Sequence, residues 1–455
     1  MKVNRIIASI MAVCVMGCGV PYVNTVPENN SVITAGAVDE ADYTEGTYEQ
    51  LTYKNYGDYI EISDCDESAT EVVIPTEIDG VPVTRIGEYA FHDCISLTSV
   101  EIPHSVTIIG RFAFYLCNDL KSIEIPDSII SIEAFAFVDC SSLKSIEIPD
   151  SITSIGYRAF AGCSSLTSIE IPDSLTNIGG EAFIETLWLE EKQKENPLVV
   201  VNNVLIDGKT CMGDIVIPDS VTSIGECAFS DCISLTSVKI PDNVTSIGEY
   251  AFSDCSNLIS VEIPDSVTSI ESDIFSGCSG LTSIEIPDSI TNIEYSAFQK
   301  CSSLTSIEIP DSVISMQNQA FYRCKSLTSI TILNPECYIY DYNSTISNGY
   351  NENKGGFYFD GTIYGYENST AQAYAEKYNR KFVSLGEAPE KDTITGDING
   401  DNKVSIADAV LLQSYILGGQ ELTEEKFKRA DLTGDGFVDS FDMVLLRRMI
   451  IENNK

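Results

Sequence analysis

Along most of the chain the apolar positions recur every 23 residues. The clearest copy reads Ile148-Pro149-Asp150-Ser151-Ile152-Thr153-Ser154-Ile155-Gly156, then Ala159-Phe160, Cys163 and Leu166, and closes on Ile169-Glu170-Ile171. Cysteines keep the phase at 94, 117, 140 and 163, and again at 232, 255, 278, 301 and 324, so the step across the gap is three periods. A unit this small cannot bury its own apolar face and must stack on its neighbours. Within it, 166–171 alternates and predicts a strand with Leu166, Ile169 and Ile171 inward and Glu170 outward. Pro172 ends the strand, and Pro-Asp-Ser suits a tight turn. Leu175 and Ile178, ahead of Ala182-Phe183, have a spacing compatible with a short helical or 3₁₀ turn on a second wall.

Departures from the period mark boundaries. From 48 to 87 the unit is atypical, and Pro75 to Pro103 spans 28 residues, as a terminal coil that covers an open end requires. Between Phe183 and Phe229 the repeat doubles to 46 residues and holds Trp188, the charged run 190–195, and two apolar runs flanking Asn202-Asn203, a hairpin signal. Trp188 has two readings here, a protruding recognition element or part of an elongated coil. After Cys324 the repeat decays into a Tyr, Asn and Gly-rich stretch, a helix over 369–378, and a polar linker at 387–394.

The Ala-Phe, Cys, Leu, Ile-x-Ile-Pro and Val/Ile-x-x-Ile-Gly positions, with ten Ile-Pro junctions from Pro75 to Pro310, resemble the BspA-like leucine-rich repeats over roughly 48–385. The resemblance implies a β-rich solenoid of 23-residue coils over 38–386, with terminal caps and the double-length repeat at 183–229. Eleven or twelve coils at ~4.8 Å each would give a rod of roughly 55 Å. The cysteine ladder reads as small apolar fillers in preference to disulfides. Stacked thiols would run parallel into the core, and removing Cys14 and Cys18 from fifteen cysteines leaves an odd thirteen.

Residues 1–37 carry Lys2, Arg5 and an apolar run over 6–20, a secretory signal with cleavage expected before Val38; a lipoprotein-type box ending at Cys18 is the rival. No other segment has the ~18 apolar residues a membrane span needs. A net charge of −41 with only 27 Lys plus Arg argues against nucleic acid or anionic membranes as partners. At 44% hydrophobic residues the acidity belongs to a folded surface.

The strongest chemistry lies in 395–455. Two twelve-residue loops begin at Asp397 and Asp431, 34 positions apart. Calcium takes hard oxygen donors from loop positions 1, 3, 5, 9 and 12 and a backbone carbonyl at 7. These are Asp397, Asn399, Asp401, Ser405 and Asp408 with the carbonyl of Lys403, and Asp431, Thr433, Asp435, Asp439 and Asp442 with that of Phe437. Each loop is followed by an apolar helix, 409–417 and 443–451. With Asp at position 12 and no amphipathic helix directly before loop one, the pair resembles a type I-like dockerin, a small all-α, EF-hand-like module. The resemblance implies two Ca2+ ions and a scaffold cohesin as partner. It places recognition at Ile406, Ala407, Gln413 and Ser414 in the first half, and at Ser440, Phe441, Arg447 and Arg448 in the second. Because the halves differ, one docking orientation is expected.

No catalytic constellation stands out. His92 and His104 read as turn residues, and the outward Glu101, Glu124, Glu147, Glu170, Glu262, Glu285 and Glu308, interrupted by Lys239, read as a solubilising ladder. The expectation is a secreted, non-catalytic cellulosome component, extracellular or held at the cell surface, whose solenoid binds a protein or carbohydrate ligand. A polysaccharide-degrading enzyme and a pure spacer remain as alternatives.

Overall fold

Stacking of coils dictates what every residue of the repeat does. The computed structural model describes residues 43–352, 355–389, 395–400, 403–419 and 421–453. The expected signal segment 1–37, its expected cleavage point, Cys18 and linker positions 390–394 lie outside the described residues. The chain divides into two units, Met1–Leu385 and Gly386–Lys455.

In the first unit Ser145–Glu147 pairs in parallel with Ser168–Glu170, the strand read from the alternating pattern. The second wall is not helical. Ser154–Ile155 pairs in parallel with Ser131–Ile132 and with Asn177–Ile178, a second ladder of two-residue strands. The physical reason lies in the turns that follow. The residue ahead of Ala-Phe takes a left-handed backbone, as at Tyr89 (φ 63°), Phe112 (56°) and Phe135 (62°), and so does the residue ahead of Cys, as at Asp93 (58°), Leu116 (60°) and Asp139 (61°). Such residues interrupt any helical run and cost on the order of 1–2 kcal/mol each. The turn they make points the next amide along the solenoid axis. Phe91 N donates to Ala113 O, Phe114 N to Ala136 O and Phe137 N to Ala159 O, all at 2.7 Å. The strain is thus offset by bonds between coils and by burial of the phenylalanines.

Stacking at one coil rise places like on like. Phe91, Phe114, Phe137 and Phe160 form a column of near-parallel rings with centroids 4.9, 5.0 and 5.2 Å apart. Within the regular coils the ladder cysteines donate their thiols to the carbonyl of the phenylalanine one coil back: Cys117 to Phe91 at 3.1 Å, Cys140 to Phe114 at 3.2 Å, Cys278 to Phe252 at 3.0 Å. Cys94 and Cys232, each first after an irregular stretch, donate instead to Asp66 O and to Cys211 O. All thirteen described cysteines are free and buried. Burial pushes the Cys324 thiol up to about 12, so it stays protonated.

The solenoid has about fourteen turns, more than the repeats counted in the sequence, because atypical stretches extend both ladders. At one end Ile60–Cys65 pairs in parallel with Val81–Ile86 and is covered by the antiparallel strands Thr44–Tyr48 and Leu51–Asn55. At the other end Thr362–Gly365 and Lys381–Ser384 continue the ladder.

The insertion is built inward. Helix α1 (Leu187–Glu195) is capped by Thr186, whose hydroxyl accepts from Leu189 N at 3.2 Å. Trp188 is 8% exposed and packs on Phe183 with centroids 5.0 Å apart, so it is core and not a protruding recognition element. Asn202 and Asn203 take φ of 46° and 67° in the hairpin joining Val199–Val201 to Val204–Asp207. A buried carboxylate that the sequence did not reveal holds these parts together. Glu181 is bridged to Arg158 at 2.5 Å and to Lys209 of the insertion. Gln193 of α1 donates to Asp207 at 2.8 Å. Helix α2 (Thr370–Lys377) closes the far end, with Ser369 Oγ accepting from Gln372 N at 3.2 Å.

Two measurements check this core. The chain lacking residues 1–37 should give thirteen titratable thiols on denaturation without reductant; ladder cysteines blocked in pairs would overturn the filler assignment. The second concerns pH. Desolvation, reinforced by the carboxylates of Glu226, Glu271, Asp273 and Glu294, pushes Glu249 up to about 7, and burial pushes Asp273 up to about 6. Both groups bind protons more tightly folded than unfolded, so solenoid stability rises as pH falls from ~7.5 to ~5 and is lost on the way back. The Glu249→Gln, Asp273→Asn variant should flatten that profile of Tm against pH.

Candidate metal centre

The second unit has a small core. Ile398, Leu412, Ala430, Met443, Leu446 and Ile450 are its buried apolar side chains. Burial on this scale supplies little stability for a free-standing module, so the acidic loops matter to the fold as well as to chemistry.

Helix α3 (Ile406–Ile416) begins inside loop one, with Ser405 as N-cap and Asp408 completing a capping box. Helix α4 (Glu424–Ala430), which the sequence reading did not name, precedes loop two, and α5 (Ser440–Asn453) follows it. In each loop the carboxylate at position 12 is fully buried and gathers backbone amides. Asp408 accepts from Ile398 N at 2.8 Å, Asn399 N at 2.9 Å and Ser405 N at 2.8 Å. Asp442 accepts from Leu432 N at 2.8 Å, Thr433 N at 2.9 Å and Asp439 N at 2.8 Å. Position 1 folds inward in the same way. Asp397 accepts from Gly400 N at 2.7 Å, and Asp431 from Gly434 N at 2.7 Å and Gly436 N at 2.9 Å. Gly400 (φ 82°), Gly434 (70°) and Gly436 (82°) supply the left-handed turns these bonds require. The two loops therefore repeat one bonding pattern 34 residues apart.

Among the described residues no three His, Cys, Asp or Glu side chains gather as a metal cage. Asp401 lies outside the described residues. Asn399, Ser405, Thr433, Asp435 and Asp439, with the backbone of Lys403 and Phe437, lie in the two loops beside these carboxylates. All the donors offered are hard oxygens, which fits Ca2+ and not a soft or borderline metal. One feature breaks the symmetry. Arg429, on α4 and 6% exposed, donates through Nη1 to Asp397 O at 3.3 Å and lies 3.8 Å from Asp397 Oδ2. It was missed because its partner lies 32 residues upstream in sequence.

The helix faces named from the sequence are available. Ile406 is 72% and Phe441 70% exposed, and Ala407, Gln413, Ser440, Arg447 and Arg448 are exposed, with Ser414 half-buried. Val410 and Val444 extend the apolar surface on the same two helices.

Family comparison now decides what the repeats are. The model of the BspA type leucine rich repeat region, in six copies, matches 84–207 and 201–328. The chain belongs to the BspA-type leucine-rich-repeat family. The dockerin type I domain model matches 395–451. No curated protein matches the chain. Similar solved structures include a leucine rich cell surface protein from Faecalibacterium prausnitzii, 28% identical over 64% of this chain and 94% of that one, TM-score 0.36. A leucine rich repeat protein of T. pallidum is 28% identical over 52% and 91%, TM-score 0.28. The pneumococcal vaccine antigen PcpA is 17% identical over 75% and 98%, TM-score 0.43. Dockerin type I domains bind calcium and imply a cohesin partner, and no described helix of this BspA-type protein is long and apolar enough to cross a membrane.

Calcium removal is expected to unfold the dockerin and spare the repeats, since crowded loop carboxylates repel without a cation and the core beneath them is small. Calorimetry with and without chelator should resolve two transitions, only the weaker one calcium-dependent. A single transition that moves as a whole would refute this.

Proposed function

We propose that this BspA-type protein is a secreted, non-catalytic component of a cellulosome, its dockerin binding two Ca2+ ions and a scaffold cohesin while its solenoid holds a protein or carbohydrate ligand. The observation that carries this reading is the duplicated loop, with one bonding pattern in both halves and an exposed apolar helix face beside each, made basic in the second half by Arg447 and Arg448. Asp397, Asn399, Asp401, Ser405 and Asp408 hold one ion with the carbonyl of Lys403. Asp431, Thr433, Asp435, Asp439 and Asp442 hold the other with that of Phe437. The ions supply the positive charge that lets these carboxylates pack; they perform no reaction here.

Docking uses the second half. Ser440, Phe441, Arg447 and Arg448 form one face of α5, and two guanidinium groups on a chain of net charge −41 suit an acidic patch on the partner. Ile406, Ala407, Gln413 and Ser414 form the corresponding face of α3 without basic residues, which favours a single orientation. Both matched domains are of non-catalytic kinds. His92 Nδ1 lies 2.7 Å from Tyr89 O within its own turn, and His104 sits exposed in a turn, so neither is placed for acid–base work.

Calorimetry against a panel of cohesins tests the docking face. Arg447→Ala with Arg448→Ala should leave calcium binding unchanged and weaken the matching cohesin by ~1 kcal/mol for a rim contact, or ~2–5 kcal/mol for a buried charge pair. Parent-like affinity in that variant, with loss on substituting Ile406 and Ala407, would move the contact to the first half.

A further inference from the structure

Residues 338–378 hold nine of the chain's 22 tyrosines and lie beyond the last residue, 328, matched by the repeat model. Here Gly349–Asn351 and Gly356–Tyr358 pair as an antiparallel hairpin that the regular coils do not have. It is bolted to the solenoid. Asn348, itself buried, donates through Nδ2 to Cys324 O at 2.7 Å and Leu327 O at 3.0 Å, and its Oδ1 accepts from Asp360 N at 2.7 Å. Arg380 Nη2 donates to Asn343 O and Phe357 O, both at 3.1 Å. On this fixed base Tyr350 stands edge-on to Phe357 at 5.1 Å, and the Tyr358 ring packs over Gly349, where no side chain intervenes. Tyr350, Asn351, Glu352, Tyr358 and Asp360 line an open cleft of about 500 Å³.

The lining chooses its ligand. Two phenol rings offer apolar surface, while an amide and two carboxylates offer hydrogen-bonding groups, and among the described residues no basic one lines the cleft. A purely apolar ligand would strip water from Glu352 and Asp360 without replacing its hydrogen bonds. Anions are repelled. An ammonium group would suit a ring and a carboxylate, yet it fills a small part of a cleft this size. A pyranose presents C–H groups to a ring and hydroxyls to carboxylates, whose charged acceptors make the stronger hydrogen bonds. We propose that this cleft is a saccharide subsite that takes neutral pyranose chains, with Tyr358 as the stacking platform and Asp360 as a hydroxyl acceptor. The proposal rests on the reading of the solenoid as a ligand binder and narrows it to one place.

Affinity electrophoresis of the full chain in calcium, through gels carrying β-glucan, galactomannan, arabinoxylan or polygalacturonate, tests it. At least one neutral polymer should retard the parent, and polygalacturonate should not. Tyr358→Ala should abolish retardation and Tyr358→Phe preserve it. The surface change Asp360→Asn, checked for an unchanged solenoid melting transition, should weaken binding ~10-fold through loss of a charge-assisted bond. Parent-like retardation of Tyr358→Ala or Asp360→Asn would place the saccharide elsewhere, overturning this subsite while sparing a carbohydrate-binding solenoid. If no neutral polymer retards the parent, or only a polylysine gel does, the saccharide assignment falls and a protein ligand remains for the solenoid.

Discussion

No coil in this protein satisfies its own backbone. Amides at the left-handed turns of the regular coils donate to carbonyls of the next coil, as Tyr89 N does to Arg111 O and Asp93 N to Tyr115 O, and the bonds bring equivalent side chains together one period apart. That rule filters residue types. Phenylalanine stacks well on phenylalanine, and a thiol fits where a small group must also donate to the Phe carbonyl one coil back. Carboxylates stack badly, and Glu249, desolvated by burial and then set among acidic neighbours on successive coils, holds its proton to about 7. The rule also fixes what can be inserted. The double-length repeat spans 46 residues, two periods, and across it Gly180 N still meets Glu226 Oε2 at 3.2 Å.

The dockerin obeys the opposite logic. Its apolar core is slight, and its order is written in carboxylates that collect amides from their own loops. A buried Asp442 holding three backbone N–H groups is a scaffold first. The charge left over in two acidic loops, with Arg429 beside the first, is of the kind that a bound cation would offset, which is the ground for the proposed coupling of folding to calcium. One chain thus joins a unit stabilised by repetition to a unit stabilised by charge.

Much of this was legible because period is a strong signal. The 23-residue spacing gave the stack, Asn202-Asn203 the hairpin turn, and the 34-residue offset the paired loops. The second β ladder was hidden, because Val/Ile-x-x-Ile fits a helical turn as well as a kinked strand. The left-handed backbone at Tyr89, Phe112 and Phe135 was hidden too, since aromatic residues rarely adopt it and only the bonds between coils enforce it. Glu181 with Arg158 and Lys209, and Arg429 with Asp397, pair residues that only the folded chain brings together. Of the two readings that the sequence left for Trp188, the elongated coil holds, because a neighbouring phenylalanine covers the ring.

Repetition also limits where recognition can be written. A face in which each residue stacks on its own kind is nearly uniform along its length, and the outward glutamates make it acidic almost throughout. A specific ligand needs a place that differs from its neighbours, and the solenoid breaks its period in its first coils, within the insertion and beyond Cys324. The first coils are covered by the antiparallel strands Thr44–Tyr48 and Leu51–Asn55. The insertion turns its distinctive groups inward, with Trp188 in the core and Glu181 neutralised by two cations. The stretch beyond Cys324 turns Tyr350 and Asp360 outward on a segment that Asn348 anchors. An exposed, fixed and chemically mixed surface is what selective binding requires, so the end of the solenoid, not its regular face, meets that requirement for the proposed ligand.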